Sequence, residues 1–197
     1  MDAAIIKYNA GNVFSVECAL RRIGAEAIVT DDPEVITRAP RVIFPGVGEA
    51  SSAMAHLREH HLDSVIKSLQ CPVLGICIGM QLLCKHSQEG DTDCIGIFDL
   101  PVLRFDNRDT PELKIPQMGW NTISVTPGSF VPAECDKRFA YFVHSYYVPL
   151  NMHTSAVTDY IIPYSAALQK DNFYATQFHP EKSGDTGETI LKKFMEL

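Results

Sequence analysis

The sequence predicts an α/β protein: a central, largely parallel twisted sheet flanked by helices, with an added β-rich portion in its C-terminal half. Three observations predict it. Short apolar runs alternate with helical patterns through the first half, and one of those runs turns at a glycine-flanked cysteine into a helix. From about residue 96 strand-like runs take over.

The elements follow in order. "AAIIKY" (3–8) reads as a strand and "NAGN" as a turn. "VFSVECALRRIG" reads as a helix, because Val13, Val16, Ala19, Leu20 and Ile23 recur at helical spacing and Gly24 suits its end. "AEAIVT" gives a second strand, "RVIFPG" a third and "CPVLGIC" (71–77) a fourth. Helical stretches occupy about 49–58 and 61–69, and "GMQLLCKH" continues the fourth strand as a helix. The later strands are "LPVLRF", "NTISVT", "FAYFVHSYYV", "SAALQ" and "FYATQF", broken by proline, glycine and asparagine. The chain closes on "TGETILKKFMEL", amphipathic through Ile190, Leu191, Phe194 and Met195. No repeat, linker or low-complexity tract interrupts it, so residues 1–197 read as a single domain.

Composition narrows the class. With 46% hydrophobic and 21% charged residues the chain is an ordinary globular one. A net charge of −7 argues against general nucleic-acid binding. No run approaches the roughly 18 apolar residues of a membrane span, and Asp2 stands where a secretory signal would be basic. The expected location is the cytoplasm, away from membranes. The six cysteines form no C-x-x-C pair and read as reduced thiols, five of them as small buried hydrophobes.

Cys77 is the exception. In "GICIGMQ" it sits where a strand becomes a helix, the place of a nucleophile elbow. Side chains two residues either side of such a corner would collide, and Gly75 and Gly79 occupy both places. The adjoining helix N-terminus favours the thiolate. Thiolate acyl transfer also needs a base and a group to orient it. "FYATQFHPEKSG" supplies His179 as the base and Glu181 to hold its imidazole, completing a Cys77, His179, Glu181 triad. "FPGVG" supplies an oxyanion loop, in which a peptide within Gly46, Val47 and Gly48 would donate alongside Ile78 N–H. The same "GVGEAS" read as a dinucleotide fingerprint lacks its last glycine, where Ser51 stands.

G-x-C-x-G-x-Q with a later "HPE" resembles the class I glutamine amidotransferases over almost the whole chain. Within that family, "YNAGN", "FPGVG", "PQMGWN", "FVHSYYV" and "QFHPEKSG" look like the branch serving histidine biosynthesis. The branches for anthranilate, guanylate, carbamoyl phosphate or pyridoxal phosphate synthesis match "PQMGWN" and "PGVG" less well. Lys7 and Asn9 stand where that branch more often has acidic and glycine residues. The resemblance implies that Cys77 attacks glutamine, releasing ammonia and leaving a glutamyl thioester that water hydrolyses. It implies glutamine bordered by Gly48, Gln81, His144, Ser145 and Tyr146, and no metal or other cofactor. It further implies a heterodimer with a cyclase subunit, a (β/α)8 barrel that takes up the ammonia, with Asn12, Met118, Trp120 and Lys182 at positions facing it. An oxyanion loop that the partner reorients is part of the same expectation.

One other enzyme class is legible. "HLREH" places His56, Glu59 and His60 as H-x-x-E-H, a zinc-hydrolase pattern, but no third protein ligand is signposted.

Overall fold

The computed structural model describes residues 1–8, 12–46 and 48–197; Asn9 and Val47, singled out above, lie outside the described residues. Its first half follows the predicted order. Strand β1 (Ala3–Ile6), helix α1 (Val13–Arg22), β2 (Ala27–Thr30), α2 (Pro33–Arg38), β3 (Val42–Phe44), α3 (Ala50–Glu59), α4 (Leu62–Ser68), β4 (Val73–Ile76) and α5 (Ile78–Leu83) succeed one another. Helix α2 is not among the predicted elements. It is only six residues long and buries one side chain, Ile36, so it has no periodicity to detect; Asp32, accepting from Glu34 N–H at 2.8 Å, and Pro33 in the first turn start it.

The second half adds β5 (His86–Ser87), β6 (Thr92–Asp93), β7 (Pro101–Arg104), β8 (Gln117–Thr122), β9 (Ser124–Val125), β10 (Phe139–His144), β11 (Tyr146–Tyr147), β12 (Thr154–Tyr160), β13 (Ile162–Lys170), β14 (Phe173–Thr176) and the closing helix α6 (Gly184–Met195). Several expectations need correction. "NTISVT" is not one strand: β8 ends at Thr122 and pairs with β10, while β9 pairs with β12 in the main sheet. The helix expected over "GMQLLCKH" stops at Leu83, and His86 lies in β5. "FAYFVHSYYV" is not one strand: it breaks at Ser145, β10 pairing with β8 and β11 with β7 in a different sheet. Strand β12 was not expected, because its buried positions include Ser155 and Thr158, which do not advertise a core-facing strand.

The main sheet runs β2-β1-β3-β4-β14-β13-β12-β9. Its first five strands are parallel, and β13, β12 and β9 extend it antiparallel, so the β-rich portion continues the central sheet. Strand parity divides the core into two layers. Ala4, Ile6, Val42, Phe44 and Val73 face α2, α3, α4 and α5, where Ile36, Met54, Leu57, Ile66 and Leu83 complete one layer. Ile5, Ile43, Leu74 and Ile76 face α1 and α6, packing with Leu20, Phe178, Leu191 and Phe194. Covered on both faces, β1, β3 and β4 read as unbroken apolar runs.

One pairing positions the site. Strand β14, about a hundred residues further along the chain, lies parallel beside β4, with Thr176 opposite Ile76, while β3 flanks β4 on the other side. The segments after β3, β4 and β14 therefore emerge together at the carboxyl edge of the sheet, where α/β proteins bind ligands. Among the described residues, no helix is long and apolar enough to cross a membrane.

Candidate active site

Cys77 follows β4 directly, its backbone at φ 53° and ψ −107° before α5 begins at Ile78. A non-glycine residue in that region is strained and is held there by its surroundings. Its N–H donates to Thr176 O at 2.8 Å, tying the corner to β14. The flanking glycines answer to contact. A Cβ on Gly79 would stand 2.1 Å from Phe44 O, and one on Gly75 would meet Leu83 Cδ1 at 2.8 Å.

Gly46 in the oxyanion loop answers to contact as well: its Cβ would lie 1.9 Å from Ile78 Cγ2 and 2.6 Å from Gly79 N. The loop passes so close over the first turn of α5 that only a glycine fits. Gly48, at φ 127°, does need glycine's freedom. Both ends of this loop are fastened. Buried Tyr8 donates from its hydroxyl to Pro45 O at 2.6 Å, while Glu49 accepts from Ser51 and Ser52 N–H, and Glu89 accepts from Ala50 N–H at 2.8 Å.

His179 and Glu181 arrive on the turn that follows β14, and Pro180–Lys182 form one 3₁₀ turn. The His179 Nδ1 to Glu181 Oε1 distance is 2.8 Å, with both side chains almost fully buried. The turn is anchored: His179 N–H donates to Tyr141 O, and Ser183 Oγ donates to His179 O at 2.6 Å. Gly187 in α6 lets the helix close on it, since a Cβ there would lie 1.8 Å from Pro180 O. His179 lines the same cavity as Cys77, and its buried Nε2 has no hydrogen-bond partner among the described residues. Burial alone would lower the His179 imidazolium; the Cys77 sulfur and the Glu181 carboxylate outweigh it and push it up to about 10.

That cavity holds about 290 Å³, and Gly48, Cys77, Ile78, Gln81, His144, Ser145, Tyr146 and His179 line it. Every expected glutamine-bordering residue is thus present, along with Glu89, Pro116 and Val143. His144 differs from expectation in one respect. Both ring nitrogens are already engaged, Nδ1 with Tyr146 O at 2.6 Å and Nε2 with Tyr164 Oη at 3.0 Å, so the ring braces the wall. Burial first, and the nearby His179 charge, hold it down at about 4.

These two histidines predict a pH profile of stability. His179, raised above its ordinary 6.5, contributes stability fully present below that value and lost as pH rises toward 10. His144, depressed, contributes stability present above 6.5 and lost as pH falls toward 4. Melting temperature should therefore peak near neutrality. Glu181→Gln should flatten the alkaline limb in thermal melts between pH 6 and 10; an unaltered limb would show that the His179–Glu181 pair does not set it.

The four positions expected to face a partner lie outside the cavity. Met118 and Trp120 are 66% and 56% exposed on one face of β8, and Phe139, opposite Thr122 on β10, shares that face. Trp120 is therefore not a core residue; its ring meets only the edge of Tyr141 at 5.9 Å among the ring contacts. Lys182 is exposed on the His179 turn, and Asn12 is half-buried at the start of α1. His56, Glu59 and His60 do bring their ligating atoms within 4.8 Å of one another, but at the end of α3 and outside the Cys77 cavity.

Two buried polar residues escaped the sequence reading. Gln177 sits inside "FYATQF", which reads as a strand, and Gln117 inside the motif "PQMGWN"; the only signal is an amide where an apolar residue would be expected. Gln177 Nε2 stands 3.8 Å from Cys77 Sγ, and Tyr164 donates from its hydroxyl to Gln117 Oε1 at 2.7 Å.

A strained cysteine, a buried His–Glu pair and a glycine loop around one cavity define a thiol-dependent acyl-transfer site, and the model of the family "Glutamine amidotransferase class-I" matches residues 5–197. The chain belongs to the class I glutamine amidotransferases, a family of enzymes. Among curated relatives, the imidazole glycerol phosphate synthase subunit HisH of Bacteroides fragilis is 59% identical, with all of both chains covered. The HisH subunits of Bacteroides thetaiotaomicron and Escherichia coli are 55% and 43% identical, again over the full length of both chains. Solved structures agree on the fold. A crystal structure titled glutamine amidotransferase matches with a TM-score of 0.76 at 18% identity, covering 100% of this chain and 98% of that one. A glutamine amidotransferase from Thermotoga maritima matches at 0.62 and 18%, covering 98% and 80%.

Proposed function

We propose that this chain is the glutaminase subunit of an imidazole glycerol phosphate synthase, acting in the cytoplasm as one amidotransferase domain over residues 1–197. The carrying observation is full-length identity of 59% to 43% with HisH subunits in a chain whose Cys77, His179 and Glu181 converge.

The chemistry follows from the positions. The Cys77 thiolate adds to the carboxamide carbon of glutamine, and the developing oxyanion is met by Ile78 N–H and a peptide of the 46–48 loop. His179, held through Nδ1 by Glu181, gives its Nε2 proton to the departing nitrogen. Ammonia leaves, and a glutamyl thioester remains. The now neutral His179 takes a proton from water, whose oxygen attacks the thioester; glutamate is released and Cys77 returns as the thiolate with His179 protonated. Gln81, Gly48, His144, Ser145 and Tyr146 shape the glutamine pocket.

Free ammonia would be lost to solvent as ammonium, so delivery requires a partner. The exposed apolar face of Met118, Trp120 and Phe139 supports docking of a cyclase subunit, a (β/α)8 barrel, with Asn12 and Lys182 contributing at its edges.

Glutamate release should be measured from the chain alone and then with the barrel and its ribonucleotide ligand. Strong stimulation is expected. Turnover indifferent to the barrel would leave a glutaminase but remove the pathway. In the same assay Trp120→Ala should weaken association roughly 30-fold, as the loss of an aromatic anchor worth about 2 kcal/mol does; unchanged association would take Trp120 out of the interface.

A further inference from the structure

Beside the nucleophile lies a buried amide relay whose orientation is fixed by elementary donor and acceptor rules. It begins at the carbonyl of Tyr146, which can only accept. Gln81 Nε2 approaches that oxygen at 3.1 Å, so this end of Gln81 carries hydrogens. The same Nε2 stands 3.0 Å from one end of the Gln177 amide. A second donor there would leave two N–H groups facing each other in a buried site, so that end of Gln177 is its oxygen. Its other end is therefore the NH₂ group, and it is this end that faces Cys77 Sγ at 3.8 Å. Gln177 is wholly buried and Gln81 is 3% exposed.

Beside His179, the sulfur thus has two neighbours of opposite kind. Val143 O, 3.9 Å away, can only accept, and suits the thiol S–H. The Gln177 N–H can only donate, and suits the thiolate. We propose that Gln177 is a further catalytic residue: locked by Gln81 and the Tyr146 carbonyl, its Nε2–H faces Cys77 Sγ and favours the anionic sulfur. The proposal deepens the glutaminase reading by adding a contact to its nucleophile. The titratable groups around that sulfur are Tyr8, Glu89, His144, Tyr146, Tyr164, His179 and Glu181. His179 is the group whose charge couples to that sulfur; Gln177 adds a neutral donor.

The test reads the sulfur directly and needs neither glutamine nor a partner, so it stands or falls separately from the assigned reaction. The full chain is alkylated with iodoacetamide between pH 5 and 10, and modification of Cys77 is followed by mass spectrometry with half-buried Cys18 as internal reference. Gln177→Leu removes the donor. Gln177→Glu keeps the shape and the acceptor for Gln81 but turns a negative oxygen toward the sulfur. Both should lower Cys77 alkylation at neutral pH, roughly tenfold or more in Gln177→Glu, and move its profile to higher pH, with the Cys18 profile unchanged. Folded variants that alkylate Cys77 as the native chain does would overturn the proposal. Should neither variant fold, the native chain still decides it: the Gln177 side-chain amide resonance must move across the pH range in which Cys77 becomes reactive, and a resonance that stays still rejects it.

Discussion

Cys77→Ala is expected to reduce glutamine hydrolysis by at least about 10⁴-fold, the scale on which removing a member of a nucleophile and base unit acts. The fold should survive. The side chain is small, its polar contacts are the two long ones to Val143 O and Gln177, and alanine meets the same backbone strain at φ 53° that cysteine does. Melting temperature should shift by only a few degrees while turnover vanishes. Without the sulfur no thioester can form, and neither His179 nor the oxyanion loop substitutes for it. A variant retaining turnover within tenfold of the native chain would remove the nucleophile assignment altogether.

Gly79→Ala should do the reverse with a single methyl group, harming fold and activity together. The added carbon would stand 2.1 Å from Phe44 O, inside any tolerable contact, and the atom it meets is backbone in the central parallel strand β3. Neither side can yield cheaply. Overpacking of this kind costs about 1–3 kcal/mol and sometimes more, which in a chain of this size lowers melting by roughly 2–12 °C. Relief requires α5 to move away from β3, carrying Ile78 N–H and the Cys77 corner with it. A misplacement of about 1 Å costs some hundredfold in rate. Calorimetry and a glutaminase assay on the purified variant check both effects. Melting and turnover equal to native would mean that the corner is looser than the contact distance implies.

The two substitutions put alanine two residues apart and separate what each position does. At 77 the side chain is the reagent; at 79 the absence of one builds the corner that presents it.

Much of this was legible in the chain alone. The apolar runs of β1, β3 and β4 announce strands covered on both faces, and the Gly75, Cys77, Gly79 spacing announces a strand-to-helix corner. His179 and Glu181, two residues apart around a proline, were legible as a base and its orienting group for the same local reason. What escaped was short or polar. Helix α2 has six residues and one buried side chain, too few for a period to show. Strand β12 buries Ser155 and Thr158, which pattern reading takes for a surface. The break at Ser145 separates two sheets although aromatic and apolar residues continue on both sides of His144 and Ser145.

By itself, then, the sequence determined the local geometry and the inventory: which segments are strands, where the chain must turn too tightly for a side chain, and which residues could serve as nucleophile, base and orienting group. Those properties depend on neighbours a few positions apart. Tertiary structure alone decided that β14 inserts beside β4, bringing His179 to Cys77 across about a hundred residues, and that Gly46 is a contact surface for α5. It decided that Trp120 faces outward and that Gln177 turns its N–H toward the sulfur. Strand pairing and buried hydrogen bonds are made between segments distant in the chain, and their partners are not written in the spacing of either one.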